Sequence, residues 1–272
     1  MLNARLLPFL AVIGGVGGFF LRRWELISAF ESSGLATPWA PASVSLIVLS
    51  VVMALLFFLF CRGANRPLSS YSDAFSAPGN WVYLLISALA SAHLLVAGTS
   101  FFFAAEIRSG APHILRLLLS IACVLSFFSV LSIILGNFRA KPRKYSLILL
   151  VPGYTFCLWL VSAYQQYAAE PVIRVYVYEL LAIICALLAL YFAAAFSFAK
   201  ANVRWCCLFS LLSVYFCIVS LADPHDRGSL LLLLFSILYQ FATAMVLLKN
   251  AFSGGADPST ESNNTQEVSH NE

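Results

Sequence analysis

The chain predicts an all-α fold, a polytopic transmembrane helix bundle of about eight spans. Composition, run length and the spacing of charge all point there. Hydrophobic residues make up 61% of the 272 positions and charged residues only 10%, against about 25% charged in a soluble globular domain. Too little polar surface remains to cover so apolar an interior in water. The apolar residues fall in long runs close to the ~20 residues that a helix needs to cross a bilayer. Short segments rich in charge, Gly and Pro separate the runs. The net charge of +4 comes from basic residues scattered over many loops and not from a stripe, which argues against a nucleic-acid partner.

The first run, Leu6 to Leu21, is short for a span, at about 16 residues. Arg22, Arg23 and Trp24 follow it in place of a small-residue cleavage site, so it is expected to remain as an uncleaved first helix. Gly14 and Gly18 form a GxxxG pair, which either lets another helix approach closely or reflects the ordinary tolerance of membrane helices for glycine. Over residues 22–42, Trp24, Leu26, Ile27 and Phe30 alternate with Arg23, Glu25 and Glu31. That pattern predicts a short amphipathic helix on the membrane surface, broken by Gly34, Pro38 and Pro41, with Trp39 at the interface.

Seven further runs follow, at about 43–61, 81–105, 111–136, 145–164, 175–199, 205–222 and 228–248. Pro152 lies inside the fifth helix of the series and is expected to kink it or to leave a backbone carbonyl free. From Ser253 onward the residues are polar, as in a disordered tail. The chain therefore divides into a bundle over 1–252 and a cytoplasmic tail over 253–272. Asn263-Asn264-Thr265 matches the glycosylation pattern but falls on the cytoplasmic side.

Orientation follows from Lys and Arg in short loops. One side holds Arg5, Arg62, Arg66, Arg139, Lys141, Arg143, Lys144, Lys200, Arg204 and Lys249; the other holds Arg22, Arg23, Arg108, Arg174 and Arg227. The richer side also carries both termini, which places them in the cytoplasm of a cell-membrane protein. The opposite loops carry acid instead: Glu25, Glu31, Glu106, Glu170, Asp223 and Asp226.

Ionisable residues inside a bilayer cost about 2.5–3.5 kcal/mol each to insert and are functional candidates for that reason. The tight turn from Glu106 to Arg116 carries much of this charge. Arg116 is expected roughly 7.5 Å inside the fourth span, and Glu179 at similar depth in the sixth. Glu106, His113, Arg116 and Glu179 then form a candidate polar pocket opening outward, with Tyr176 one turn from Glu179. The alternative is an Arg116 that snorkels to the headgroups and a Glu179 that serves helix packing alone. His93, near the middle of the third span, is either a packing residue or a proton or quinone contact. His225 sits in Asp223-Pro224-His225-Asp226-Arg227, a loop that could bind a cation or be a solvated turn.

The seven cysteines all lie in or beside apolar runs and form no CxxC, as expected of small core residues. No metal site, cofactor or catalytic residue is expected, and no Walker loop, HExxH or GxSxG is present. The four-plus-four helix duplication of many transporters is not evident.

The run Gly17-Gly18-Phe19-Phe20-Leu21-Arg22-Arg23-Trp24-Glu25-Leu26, with Ala77-Pro78-Gly79-Asn80, resembles a group of bacterial multi-pass membrane proteins without assigned function; the resemblance implies no activity. The layout of eight helices in under 300 residues is also similar to the membrane anchor subunits of reductases of the dimethyl sulfoxide reductase type. Three readings of function follow. One is an integral membrane component that packs in the lipid bilayer with a membrane-protein partner or as a homo-oligomer. A second is a small-solute permease with its pocket near Arg116 and Glu179. The third is a quinol-linked anchor using His93 and Glu106.

Overall fold

The computed structural model describes residues 6–29, 37, 39–63, 68, 70–106, 111–139, 146–167, 176–198 and 200–252. Among them there is no strand, and eight long helices run back and forth: α1 (Leu7–Ser28), α2 (Pro41–Cys61), α4 (Trp81–Glu106), α5 (Ala111–Phe138), α6 (Ser146–Tyr167), α7 (Val177–Ala195), α8 (Val203–Ser220) and α9 (Arg227–Phe252). A short helix, α3 (Tyr71–Phe75), precedes α4, and a 3-10 turn at Phe196–Phe198 ends α7. Seven of the long helices, α2 and α4 to α9, are long and apolar enough to cross a membrane. The chain is thus a polytopic helical membrane protein.

Helix α1 is longer than the sequence predicts. Its 22 residues span about 33 Å at 1.5 Å per residue, enough for a bilayer core. The surface helix expected over Arg22–Glu31 is, as far as Ser28, the last two turns of α1. Arg22 and Glu25 on those turns are buried, whereas Ile27 is exposed. The arginines do not end the helix because Arg22 has partners inside the protein. Phe30, Glu31 and the tail from Ser253 lie outside the described residues.

Helices α4, α5, α6, α7, α8 and α9 form a ring in chain order, closed by α9 packing on α4 and α8; α1 packs on α8, and α2 on α1 and α8. Phe156, Trp159, Phe235 and Tyr239 fill the interior, with Phe156 against both Trp159 and Phe235. The Trp159 indole N–H donates to the Ser229 hydroxyl at 3.3 Å. In α2 and α8 burial and hydropathy run opposite ways. The most apolar span, α2, is 22% buried with mean hydropathy 3.0, and α8 is 83% buried with 1.8. Lipid selects the apolar face of α2, whereas protein surrounds α8, which can therefore carry Ser210, Ser213 and Ser220 in its buried surface.

Gly15 and Gly18 of α1 sit where α8 approaches closely. A Cβ on Gly18 would lie 2.6 Å from Val219 Cγ2, and one on Gly15 2.9 Å from Ile218 Cβ, both on α8. Gly14 faces Met53 of α2. In α6, Pro152 has no N–H for the Ile148 carbonyl one turn earlier. The Ser129 hydroxyl of α5 donates to that carbonyl at 2.5 Å.

At the end of the bundle where α4 and α8 begin and α5 and α9 finish, α3 is tucked inward. Tyr71, Ala74 and Phe75 are buried, and the Phe75 ring meets that of Phe196. The segment Ala77–Asn80 that follows turns at Gly79, whose φ of +64° suits glycine. Asn80 Oδ1 accepts from the Tyr83 amide N–H to cap α4. The Asn137 amide donates to the hydroxyls of Tyr71 and Tyr83 at 3.3 and 3.0 Å. Six cysteines are buried and Cys157 is exposed; all seven are free thiols.

Candidate functional site

The opposite end gathers the last turns of α1, the end of α6, the start of α7 and the turn between α8 and α9. Here the structure concentrates buried charge. The Arg22 guanidinium, wholly buried, donates through Nη1 to Glu25 Oε2 at 2.7 Å and through Nε to Asp223 Oδ1 at 2.8 Å. Its other face lies over the Tyr178 ring, 4.9 Å from the centroid, as a cation–π contact. Two distinct nitrogens thus hold two carboxylates, which the planar fork of arginine permits and lysine does not.

Beside this triad sits a second acid–base pair. Glu179, in the first turn of α7, accepts from the Tyr167 hydroxyl at 2.7 Å through Oε2. The same oxygen lies 3.5 Å from His225 Nδ1. The other ring nitrogen, Nε2, is 2.6 Å from the Ser220 carbonyl, which can only accept, so Nε2 carries a hydrogen. Tyr176 stacks on Tyr167, centroids 4.7 Å apart. Asp223 Oδ2 and His225 Nδ1 are both buried with no hydrogen-bond partner among the described residues.

Asp223 and His225 lie in the turn between α8 and α9, and their acidities move with their surroundings. Burial drives the Asp223 carboxyl up to about 6, with Glu179 adding to the effect, against the pull of Arg22 and His225. Burial opposes the charged form of His225. The Glu179 carboxylate, the Ser220 carbonyl and the Asp223 carboxylate together outweigh it, so its pKa is raised. In the loop read as a cation site or a solvated turn, Asp223 and His225 point inward, whereas Pro224 and Arg227 are exposed. The Asp223 and His225 side chains fold back into protein, and no group of three or more metal-binding side chains occurs among the described residues.

Of the sequence-predicted pocket, the described residues Arg116 and Glu179 do not pair. Glu179 is in the cluster, but its partners are Tyr167 and His225. Arg116 is half-buried on α5 and makes no ion pair with a described residue. The physical reason is the ring order: α6 stands between α5 and α7 and presents Tyr167 to Glu179. The side chains of Glu106 and His113 lie outside the described residues. His93 is partly exposed in the middle of α4, and its Nδ1 hydrogen-bonds the Leu89 carbonyl of its own helix at 2.8 Å.

Sequence reasoning placed Arg22 and Glu25 on a surface helix and so missed them. One signal was available: they are three residues apart and so share a helix face, opposite loops that carry an excess of acid. Tyr167 and Ser220 gave no signal.

Fold and cluster together define a polytopic α-helical membrane protein with a buried acid–base network at one end. No protein-family model matches the chain, and neither a curated protein nor a solved structure matches it.

Proposed function

We propose that this chain is a multi-pass component of the cell membrane, with both termini in the cytoplasm, and that the cluster around Asp223 and His225 is a proton-binding site near its outer face. The tautomer of His225 carries the proposal. With Nε2–H committed to the Ser220 carbonyl, a neutral ring would turn the Nδ1 lone pair toward the Glu179 carboxylate. Two acceptors face each other there unless a proton lies between them. The charge balance supports the same reading. Among the described residues Arg22 meets Glu25 and Asp223, and Glu179 bears on Asp223; proton uptake relieves the excess of negative charge that these groups carry in low dielectric. The concentration of Lys and Arg in the loops at the other end supports the orientation.

A proton site shared by α1, α7 and the α8–α9 turn suits a component whose packing responds to external pH. The permease reading remains the second one, now centred on Glu179 and His225, because a buried carboxylate–histidine pair is also what proton-coupled transport uses. Infrared difference spectra of the purified chain between pH 8 and pH 5 test the site. Protonation of a buried carboxyl should appear in the wild type and be lost in Asp223→Asn; identical spectra for the two would refute it. Solute uptake that depends on a pH gradient and on His225 would select the permease. Maleimide labelling of single cysteines at Arg143 and Asp226 tests orientation: labelling from outside at the first position alone would reverse it.

A further inference from the structure

Far from the cluster, the lipid-facing side of α9 carries a groove of about 520 Å³ between α1 and α4. The Phe9 ring, in the first turn of α1, meets Phe241 edge-on at 5.3 Å, and α9 runs on to Phe252, about 16 Å further. Phe9, Val82, Ile86, Phe241 and Met245 make the body of the groove; Asn80 and Lys249 line it as well. Polarity is sorted along its length. Asn80 immediately precedes α4 and Lys249 is in the last turn of α9, so both stand at the membrane-surface end. Asn80 Oδ1 accepts from the Tyr83 amide N–H, which leaves its NH2 group as the donor. Lys249 is exposed and makes no ion pair with a described residue. The Tyr83 hydroxyl is turned to Asn137.

An apolar trough with a cation and an amide donor at its mouth complements an amphiphile with an anionic head. We propose that the groove binds an anionic phospholipid, with the phosphate at Lys249 and Asn80 and an acyl chain along Phe9, Ile86 and Met245. A zwitterionic lipid matches the trough but gains less at Lys249, and a free phosphate makes no use of the trough.

Native mass spectrometry of the full chain, stripped of lipid in mild detergent, decides the matter. Phosphatidylglycerol and phosphatidylcholine of equal chain length are titrated separately, and the one-to-one adduct is measured. Phosphatidylglycerol should bind about fivefold more tightly, the value of one lysine near an anionic headgroup. Lys249→Gln should erase that preference, and Lys249→Arg should keep it. Met245→Trp, which fills the trough, should weaken both lipids. Equal binding of the two lipids by the wild type would overturn the proposal. So would a preference surviving Lys249→Gln, or glycerol phosphate binding as tightly as the lipid. Lys249 is exposed, so Lys249→Gln is expected to fold and the lipid ratio stands even if Met245→Trp does not.

Discussion

Arg22 Nε lies 2.8 Å from Asp223 Oδ1 across 201 positions of sequence, tying α1 to the turn between α8 and α9. Both side chains are buried, so removing one strands the other. Arg22→Ala leaves Glu25 and Asp223 facing each other and is expected to cost about 3–5 kcal/mol, read as a lowered midpoint of thermal unfolding in detergent. Arg22→Lys should fall between, since an ammonium replaces one of the two directed contacts. A wild-type midpoint for Arg22→Ala would show the pair to be energetically idle.

Stability should rise as pH falls from 8 toward 4. The sign follows from linkage. The folded-state pKa of Asp223 is raised from 3.8 to about 6, so the folded form binds the proton first and gains stability as pH drops through 6 toward 4. That gain is roughly 2–3 kcal/mol at 1.36 kcal/mol per unit. His225 is raised too, and its stabilisation is present below its unfolded value of about 6.5 and lost as pH rises through the folded one. Unfolding midpoints across that range should slope in this direction, and Asp223→Asn should flatten the acidic part while its side-chain oxygen still accepts from Arg22.

Ser129 and Pro152 should be coupled. Ser129→Ala leaves the Ile148 carbonyl without the hydroxyl donor that Pro152 cannot replace, at an expected cost of about 1–3 kcal/mol. Pro152→Ala restores an N–H within α6, so Ser129→Ala should then be almost free. A double-mutant cycle measures this; additive losses would contradict the link.

The glycines of α1 should differ sharply. Gly18→Val forces side chain into Val219 and Tyr215 and should cost about 1–3 kcal/mol as overpacking. Gly17→Ala meets only Leu49 Cδ2, at 4.0 Å, and should be neutral or stabilising through helix propensity. Unfolding midpoints of the two variants give the comparison.

The spans were legible in the sequence because length and hydropathy are local properties. Pro41–Cys61 and Trp81–Glu106 fall almost where the apolar runs do. The carbonyl left by Pro152 was legible for the same reason; its donor on α5 was not. The cluster was half legible. Glu179 stood out as a charge among apolar residues, but Arg116 was matched to it on depth alone, and depth says nothing about order around a ring. Arg22 was misread because an arginine doublet after an apolar run normally marks a membrane surface. Only the partner on the α8–α9 turn makes it an interior residue. Helix α3, five residues long, carries too little pattern to be read.

The contact between Arg22 and Asp223 also imposes an order of events in biosynthesis. A ribosome working at 5–20 residues per second needs roughly 10–40 s to add the 201 positions between them. Throughout that interval the guanidinium must be accommodated without the turn that finally holds it. Glu25, one helical turn away and 2.7 Å from Nη1, belongs to the same nascent segment and serves as its escort. The late arrival of α8 then completes the assembly, and a ribosome halted before position 223 leaves Arg22 without its Asp223 contact.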